Sequence, residues 1–550
     1  MPGEPEAGVS SPPRADSGTR RAVLLAALIT VTGIFGSRVL GLVRVQVQSR
    51  WFAPSEVGAL RAAFDLPDLL FYIVAGGALR SGFVPVFVDL LRRGRADRRE
   101  LARAWWLFSV LVTTVALVSA ALVALGVVFA EPLTAPMTGR WSAQGFSAEA
   151  TALTIHLTRL LLPAQFFLLV GGVFSGTLDS LRQFTVTALV PCFYNLAIIA
   201  GMYFLRASHG VDSAAYGTLA GALLGHGLWQ VWALRRHGRS LELRYRPTLA
   251  WRDPLVRQVV RVAAPIVLGL CVAEVNLKIC GWSVAPFGEA ARAWFDNASR
   301  VARLPDGIFG AGLGIALFPF LSHLASEGRL AEFRQQTEHI LRLALVCATP
   351  LAAYLFGCAT PCIDLLFGGG KYSEYDVAWT GEMLRWFAVG VVPLTLTLVL
   401  TRSFYARQDS VTPLRCGLAS VAFCLPANLV LARAMGASGT PLAMSLTCWF
   451  NLALLAAAHR RQCGLAQPRA LVRAFVVAHG GAWAAASVAA ALAARVPGGK
   501  LVACTASFAA LVAAYLVLMR LWRVAEVADV VRLLRRRATP SGLGGADTEP

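Results

Sequence analysis

Apolar residues in this chain come in long blocks rather than in alternation. Leu107 to Phe129 and Leu501 to Met519 are two of them. A helix that crosses a bilayer needs about 20 mostly apolar residues. Lipid offers the backbone no hydrogen-bond partners, so such runs must be helical. Outer-membrane strands would instead show stretches of about 10 residues with alternating polarity, and neither block does. The pattern predicts an all-α polytopic membrane protein. Polar and Gly/Pro-containing interruptions divide it into about fourteen spans. They lie near 22–48, 62–91, 104–130, 151–179, 184–206, 213–234, 255–285, 291–325, 337–366, 376–406, 412–433, 438–458, 470–494 and 500–522.

Composition narrows the class further. The 550 residues are 56% hydrophobic and 15% charged. A soluble chain would be about 45–50% apolar and about 25% charged. A soluble enzyme, a disordered chain and a disulfide scaffold are thereby excluded. Eleven Cys are scattered, and those inside apolar runs, such as Cys192, Cys271, Cys424 and Cys448, read as small hydrophobes. Cys358 and Cys362 are closely spaced, but a disulfide there is not favoured. No Cys/His spacing suggests a metal, no P-loop or GxSxG string is present, and the eight His are dispersed. A transporter without a cofactor or metal is expected rather than an enzyme.

The charge is lopsided: 51 Lys+Arg against 31 Asp+Glu, net +20, with Lys only at 278, 371 and 500. Nucleic acid, anionic lipid, an anionic substrate or simple orientation would each account for it. The loops decide for orientation. Arg92, Arg93, Arg95, Arg98 and Arg99 follow span 2, and Arg235, Arg236, Arg239, Arg244 and Arg246 follow span 6. Arg460, Arg461 and Arg469 follow span 12. The termini carry Arg14, Arg20, Arg21, Arg532, Arg535, Arg536 and Arg537, whereas 286–290 and 434–439 have no bases. The basic set faces the cytoplasm, which puts both termini inside and removes the need for nucleic acid. The polar start followed by Arg20-Arg21 and an apolar run mimics a signal peptide, but without a small-residue cleavage site it reads as a retained first helix.

Charges within spans carry the functional question, because there they are costly. Arg38 and Arg44 lie in span 1, where Gly41 would allow a bend that turns both inward. Arg80 lies in span 2, and Arg300 and Arg303 share a face of span 8. Together they would form a basic cavity suited to phosphate, since the Arg fork binds two oxygens and stays charged. Snorkelling to an interface competes with that reading, most strongly for Arg44, Arg50 and Arg61 near span ends. Span 7 carries Glu274, Asn276 and Lys278. Glu274 and Lys278, four residues apart, are read as a local ion pair, with a coupling-ion or substrate contact as the other possibility. Asn195 and Asn428 are expected to tie helices together.

Particular strings resemble a known family. Ser37-Arg38-Val39-Leu40-Gly41-Leu42-Val43-Arg44 resembles the SRxLGxxR opening of the MurJ (MviN) lipid II flippases. Phe64-Asp65-Leu66-Pro67-Asp68-Leu69-Leu70, then Gly77-Ala78 and Gly82-Phe83-Val84-Pro85, is similar to their next segment. So are Arg300 with Leu304-Pro305-Asp306-Gly307, and Leu366-Phe367-Gly368-Gly369-Gly370-Lys371-Tyr372 with Asp376. Phe404-Tyr405-Ala406-Arg407-Gln408-Asp409-Ser410-Val411-Thr412-Pro413 matches FYxRQDxxTP. The order is the family's, from residue 37 to about 460. Gly41, Pro67, Pro305, Gly307, Arg407, Asp409 and Pro413 are the structural positions of these motifs.

The resemblance implies two six-helix lobes around a central cavity plus two C-terminal helices, within the superfamily that includes MATE exporters. Mapped here, residues 1–18 are a disordered cytoplasmic tail, 19–236 the N-lobe and 237–254 a cytoplasmic linker. Residues 255–460 form the C-lobe, 461–525 the last two helices with a groove for a lipid tail, and 526–550 a basic, then disordered tail. It implies a monomer in the bacterial cytoplasmic (inner) membrane. Its substrate would be lipid II, the undecaprenyl-pyrophosphate-linked disaccharide-peptide, moved to the outer leaflet by alternating access. Coupling to the membrane potential or a monovalent cation, contacts with membrane lipids, and partnership with cell-wall synthesis or division proteins are compatible with it. Arg38, Arg44 and Arg300 would hold the pyrophosphate. Phe71 and Tyr72 stand where the family has an Arg, Gly58 replaces an Asp of the first external loop, and Gly76 and Arg303 replace acids. Arg80, Arg303 and Arg61 are the candidate substitutes. A flippase for another polyprenyl-linked glycan, or a MATE-type exporter, is the alternative.

Overall fold

A computed structural model describes residues 17–74, 78–140, 145–305, 320–493, 495, 499–522 and 524. Among these the chain is helical. The first half holds α1 (Ser17–Trp51), α2 (Pro54–Val74), α3 (Ala78–Arg93), α4 (Arg98–Val128), α5 (Ala130–Thr134), α6 (Ala148–Ser180) and α7 (Phe184–His209). It closes with α8 (Asp212–Ala222), a π-helical turn (Leu223–Trp229) and α9 (Gln230–Gly238). The second half opens with α10 (Pro254–Val284) and α11 (Glu289–Ala302). It continues through α12 (Leu330–Gly357), α13 (Ala359–Phe367), α14 (Glu374–Ala388), α15 (Val391–Ala406), α16 (Val411–Met435) and α17 (Gly439–Cys463). The last two helices are α18 (Pro468–Ala493) and α19 (Lys500–Leu521).

Local chemistry sets several starts. Asp97, Ser147 and Asp253 accept from the first amides of α4, α6 and α10, which would otherwise lack partners. Ser373 and Asp376 form a reciprocal capping box on α14. Some expected spans are broken: α12 and α13 share one, interrupted at Cys358, and α14 and α15 share another with a 42° bend between them. Prolines inside α2, α3, α6, α7, α12 and α16 are tolerated because neighbouring helices satisfy the freed backbone groups.

Seven helical stretches among the described residues are long and apolar enough to cross a membrane, or eight if the bent pair counts as one. The helices that miss that test include α2, α3, α10 and α11, which carry the charges described next. Phe83, Phe87, Trp105 and Phe108 build one core from α3 and α4. Leu60, Leu157, Ile198 and Met202 build another from α2, α6 and α7. The second half has one continuous core that includes Phe295, Phe333, Phe404 and Leu511, and α18 and α19 pack on α12. The halves meet where α2 and α3 lie against α10 and α11.

Candidate functional site

That seam concentrates charge. Asp65, fully buried on α2, accepts from Lys278 Nζ of α10 at 2.7 Å and from Arg292 Nη2 of α11 at 2.8 Å. Trp282 Nε1 donates to its other oxygen at 3.1 Å. Lys278 also reaches Asp68 at 2.9 Å, and Arg292 lies 3.5 Å from Asp296. Room for the Arg292 guanidinium comes from Gly281, where a Cβ would stand 2.3 Å from Nη1. Every charge in this knot has an opposite partner, as burial requires.

A second group is different. Arg44 on α1 is half-buried, within electrostatic range of Arg300, Asp68 and Tyr194. Arg61 on α2 is 3% exposed and lies within range of Arg300, Asp296 and Arg44. Its Nη2 donates to Gln48 Oε1 at 2.6 Å. Arg300, in the last turn of α11, is exposed. Among the described residues no carboxylate lies within 4.0 Å of these three bases. The Nε atoms of Arg44 and Arg61 are buried donors with no acceptor among the described residues, as are Nε and Nη1 of Arg292 in the knot. Like charges so placed repel, and an anion between them would relieve the repulsion. Arg38 is exposed on α1, which runs through Gly41 as one uninterrupted helix.

Several expectations need correction. Glu274 and Lys278 do not pair. Lys278 reaches two carboxylates on α2, and Glu274 binds Arg303 at 3.3 Å. Two partners across a helix interface hold Lys278 better than one neighbour on its own helix. Gly58 is buried inside α2, not in a loop. A Cβ there would come 1.8 Å from the Glu289 carbonyl, so the position admits no acid. The loss of acids read from Gly58, Gly76 and Arg303 does not leave an acid-free site, because Asp65, Asp68, Asp296 and Glu274 stand among the bases. The Arg80 side chain, Gly76 and Gly307 lie outside the described residues.

Other motif positions have local tasks. Asn276 Nδ2 donates to Ser420 Oγ of α16 at 3.2 Å. Asn195 ties α7 to the Ser37 carbonyl of α1, and Asn428 ties α16 to Cys280 of α10. Pro67 and Pro305 are buried. Arg407 ends α15 and donates to Gln462 and Cys463 of α17. Asp409 accepts from the amides of Val411 and Thr412 where α16 begins, and Pro413 sits in that first turn. Cys358 and Cys362 are free thiols, and no group of three or more metal-ligating residues occurs among the described residues.

Sequence reasoning missed Arg292, Asp296 and the pairing role of Asp65 and Asp68. Two Asp three residues apart in an apolar span were a usable signal. So was the i,i+4 spacing of Arg292 and Asp296.

A second seam closes the end of the molecule where α1 stops. The Lys371 amide donates to the Arg50 carbonyl at 3.0 Å, and Asn297 Nδ2 donates to Ser49 Oγ at 3.1 Å. Gly370 takes φ +66° with its α-carbon against Arg50, where a Cβ would come 2.3 Å from the carbonyl. The Gly-Gly-Gly-Lys string is thus a docking turn between the halves.

An all-helical bundle of two halves, joined by buried ion pairs and holding unneutralised Arg beside them, defines a polytopic membrane carrier of the flippase and exporter type. Its fold is that of solved carriers. It is similar to a structure described as lipid II flippase MurJ in an inward closed conformation, with TM-score 0.75, 19% identity, and 90% of this chain and 98% of that one covered. An inward-facing MATE-family transporter of the MOP superfamily gives TM-score 0.62 at 15% identity, covering 81% and 99%. A family model described as lipid II flippase MurJ matches residues 52–509. The lipid II flippase MurJ of Burkholderia cenocepacia is 28% identical over 450 residues, 81% of this chain and 85% of that protein. The probable lipid II flippase MurJ of Bdellovibrio bacteriovorus is 29% identical over 441 residues, 79% and 82%. The chain belongs to the lipid II flippase MurJ family.

Proposed function

We infer that this chain is a transporter that carries lipid II from the cytoplasmic to the outer leaflet of the bacterial inner membrane. The observation that carries the reading is the set of three bases, Arg44, Arg61 and Arg300, gathered from α1, α2 and α11 with no carboxylate contact among the described residues. Two phosphate groups are the anion such a set fits, because each guanidinium can hold two oxygens. Arg44 and Arg300 contact the pyrophosphate directly, and Arg38 on the exposed face of α1 receives it. Buried Arg61 supplies field from behind. It takes the substitute role better than Arg303, which Glu274 occupies, and Arg80 is the third base available on span 2.

Residues 19–236 and 255–460 act as lobes that rock about this site, as alternating access commonly works. The linker 237–254 joins them, and 461–525 guide the polyprenyl tail along α18 and α19. The Asp65 knot and the Lys371–Arg50 seam both join the halves, so opening on the outer side must release the latter. Both termini lie in the cytoplasm, a reading the Arg-rich loops support. Direction comes from the membrane potential: each charge crossing 100 mV gains about 2.3 kcal/mol, and two phosphate charges about twice that. No bound metal or cofactor is needed, and a monomer suffices.

The test is the purified chain in liposomes with labelled lipid II in the inner leaflet. Outward movement that halves or worse on collapse of the potential supports the account. Movement unchanged without the potential removes the energetic part, and no movement of lipid II by active protein removes the substrate.

A further inference from the structure

The linker between α9 and α10 does not leave the bundle. After a 3-10 turn ends at Leu241, residues 242–250 have no regular structure, yet they run beside α4. Trp105 Nε1 donates to the Leu241 carbonyl at 2.7 Å, and the Arg246 amide donates to Ser109 Oγ at 3.2 Å. The Thr248 amide donates to Thr113 Oγ1 at 3.4 Å, and the Tyr245 hydroxyl lies 3.1 Å from the same oxygen. From Trp105 to Thr113 an α-helix rises about 12 Å. The linker therefore climbs past Leu107, where the apolar run of α4 begins. Irregular backbone at that depth must have its amides satisfied, and the hydroxyls of Ser109 and Thr113 do this. Tyr245, Leu249 and Trp251 are exposed beside it, as aromatics are at headgroup level.

Linker and helix enclose a cleft of about 520 Å³. Arg98, Arg103, Arg244 and Arg246 line it, with Trp106 on its wall and Glu242 as the one acid among its described lining residues. Glu242 stands 3.7 Å from Arg98. Among the described residues, Arg103, Arg244 and Arg246 have no carboxylate within 4.0 Å. Three uncompensated guanidinium groups thus surround one space at the level where the hydrocarbon starts.

We propose that this cleft binds the phosphate headgroup of an anionic glycerophospholipid of the cytoplasmic leaflet. The side rests on the topology inferred above; the binding itself does not depend on lipid II transport. A lipid is favoured over free phosphate by the apolar neighbours Leu101, Trp106 and exposed Leu249, against which an acyl chain can lie. A resident lipid here would splint the linker that joins the halves to α4.

The test uses full-length protein in nanodiscs of mixed palmitoyl-oleoyl phosphatidylglycerol and phosphatidylcholine, with lipids retained after extraction counted by native mass spectrometry. Phosphatidylglycerol should be enriched on the wild-type chain. The R103Q/R244Q/R246Q variant should lose about tenfold of that preference, and the corresponding triple Arg→Lys variant should keep a good part of it. Melting in phosphatidylcholine alone shows whether the triple variant is folded. If it is not, the single variants R244Q and R246Q, on the exposed linker, must each lower the enrichment. Equal enrichment on wild type and folded variant overturns the proposal, as does displacement of the lipid by millimolar inorganic phosphate or pyrophosphate. An Arg44→Ala protein should retain the lipid whether or not it moves lipid II, which separates this inference from the transport reading.

Discussion

Two groups of charge sit side by side at the seam between the halves, and they are built on opposite plans. The Asp65 group is closed in charge: Lys278, Arg292 and Trp282 converge on one carboxylate, and Asp68 and Asp296 pair with the two bases, although Arg292 keeps two buried N–H groups without an acceptor among the described residues. The Arg44 group is open: three bases share a neighbourhood with no carboxylate within 4.0 Å among the described residues. Burying an ion pair seldom adds stability, but removing one partner is costly. The closed group therefore fixes the geometry of α2, α10 and α11, and the open group keeps the charge that a ligand can use.

The contrast breaks hardest at Asp65. Asp65→Ala leaves Lys278 with only Asp68 and Arg292 with only the more distant Asp296, a loss of about 3–5 kcal/mol. The protein should unfold far earlier on heating in detergent, whatever its substrate. Next comes the open group. Arg44→Ala and Arg300→Ala should each cut lipid II movement by at least about tenfold, since a charged hydrogen bond contributes about 1.5–3 kcal/mol. Their melting points should stay near wild type or rise, because repulsion is relieved. A melting loss as large as that of Asp65→Ala would erase the distinction.

Smaller effects sharpen it. Gly58→Ala drives a methyl into the Glu289 carbonyl and should cost about 1–3 kcal/mol, read by thermal melting, because α2 can no longer lie against α11. Glu274→Gln, at the more exposed Arg303 pair, should change stability by less than about 1 kcal/mol. Asp409 is the smallest case. Partial burial pushes its carboxyl up, but the Thr412 hydroxyl and amide pull it down further, and the net value lies below the usual one. A lowered native pKa stabilises above the unfolded value of about 3.9. The stability difference between wild type and Asp409→Asn should thus persist at neutral pH and shrink as pH falls through the native value.

Much of this architecture was legible as pattern. Apolar block length predicts helices, and α4, α6, α7, α12 and the last four helices fall where the blocks do. The charged helices were legible as exceptions: Arg44, Arg61, Arg300 and Lys278 announce themselves by standing in apolar surroundings. Their partners were not. Whether Lys278 turns to Glu274 on its own helix or to Asp65 on another depends on how α2 packs on α10, which periodicity does not encode. Gly58 shows the same limit. Read against a family pattern it is a missing acid, but in the fold it is the contact point of two helices. Breaks such as that between α14 and α15 follow local chemistry, while the climb of 241–250 along α4 needed the tertiary structure.

The central claim is that the open bases serve the substrate while the closed ones serve the fold. Lipid II movement should therefore be measured in liposomes for wild type and the Arg44→Ala/Arg300→Ala double variant, with each protein's melting point recorded in the same lipid. The account predicts loss of movement in the double variant at an unchanged or higher melting point. Wild-type rates in a folded double variant would contradict it.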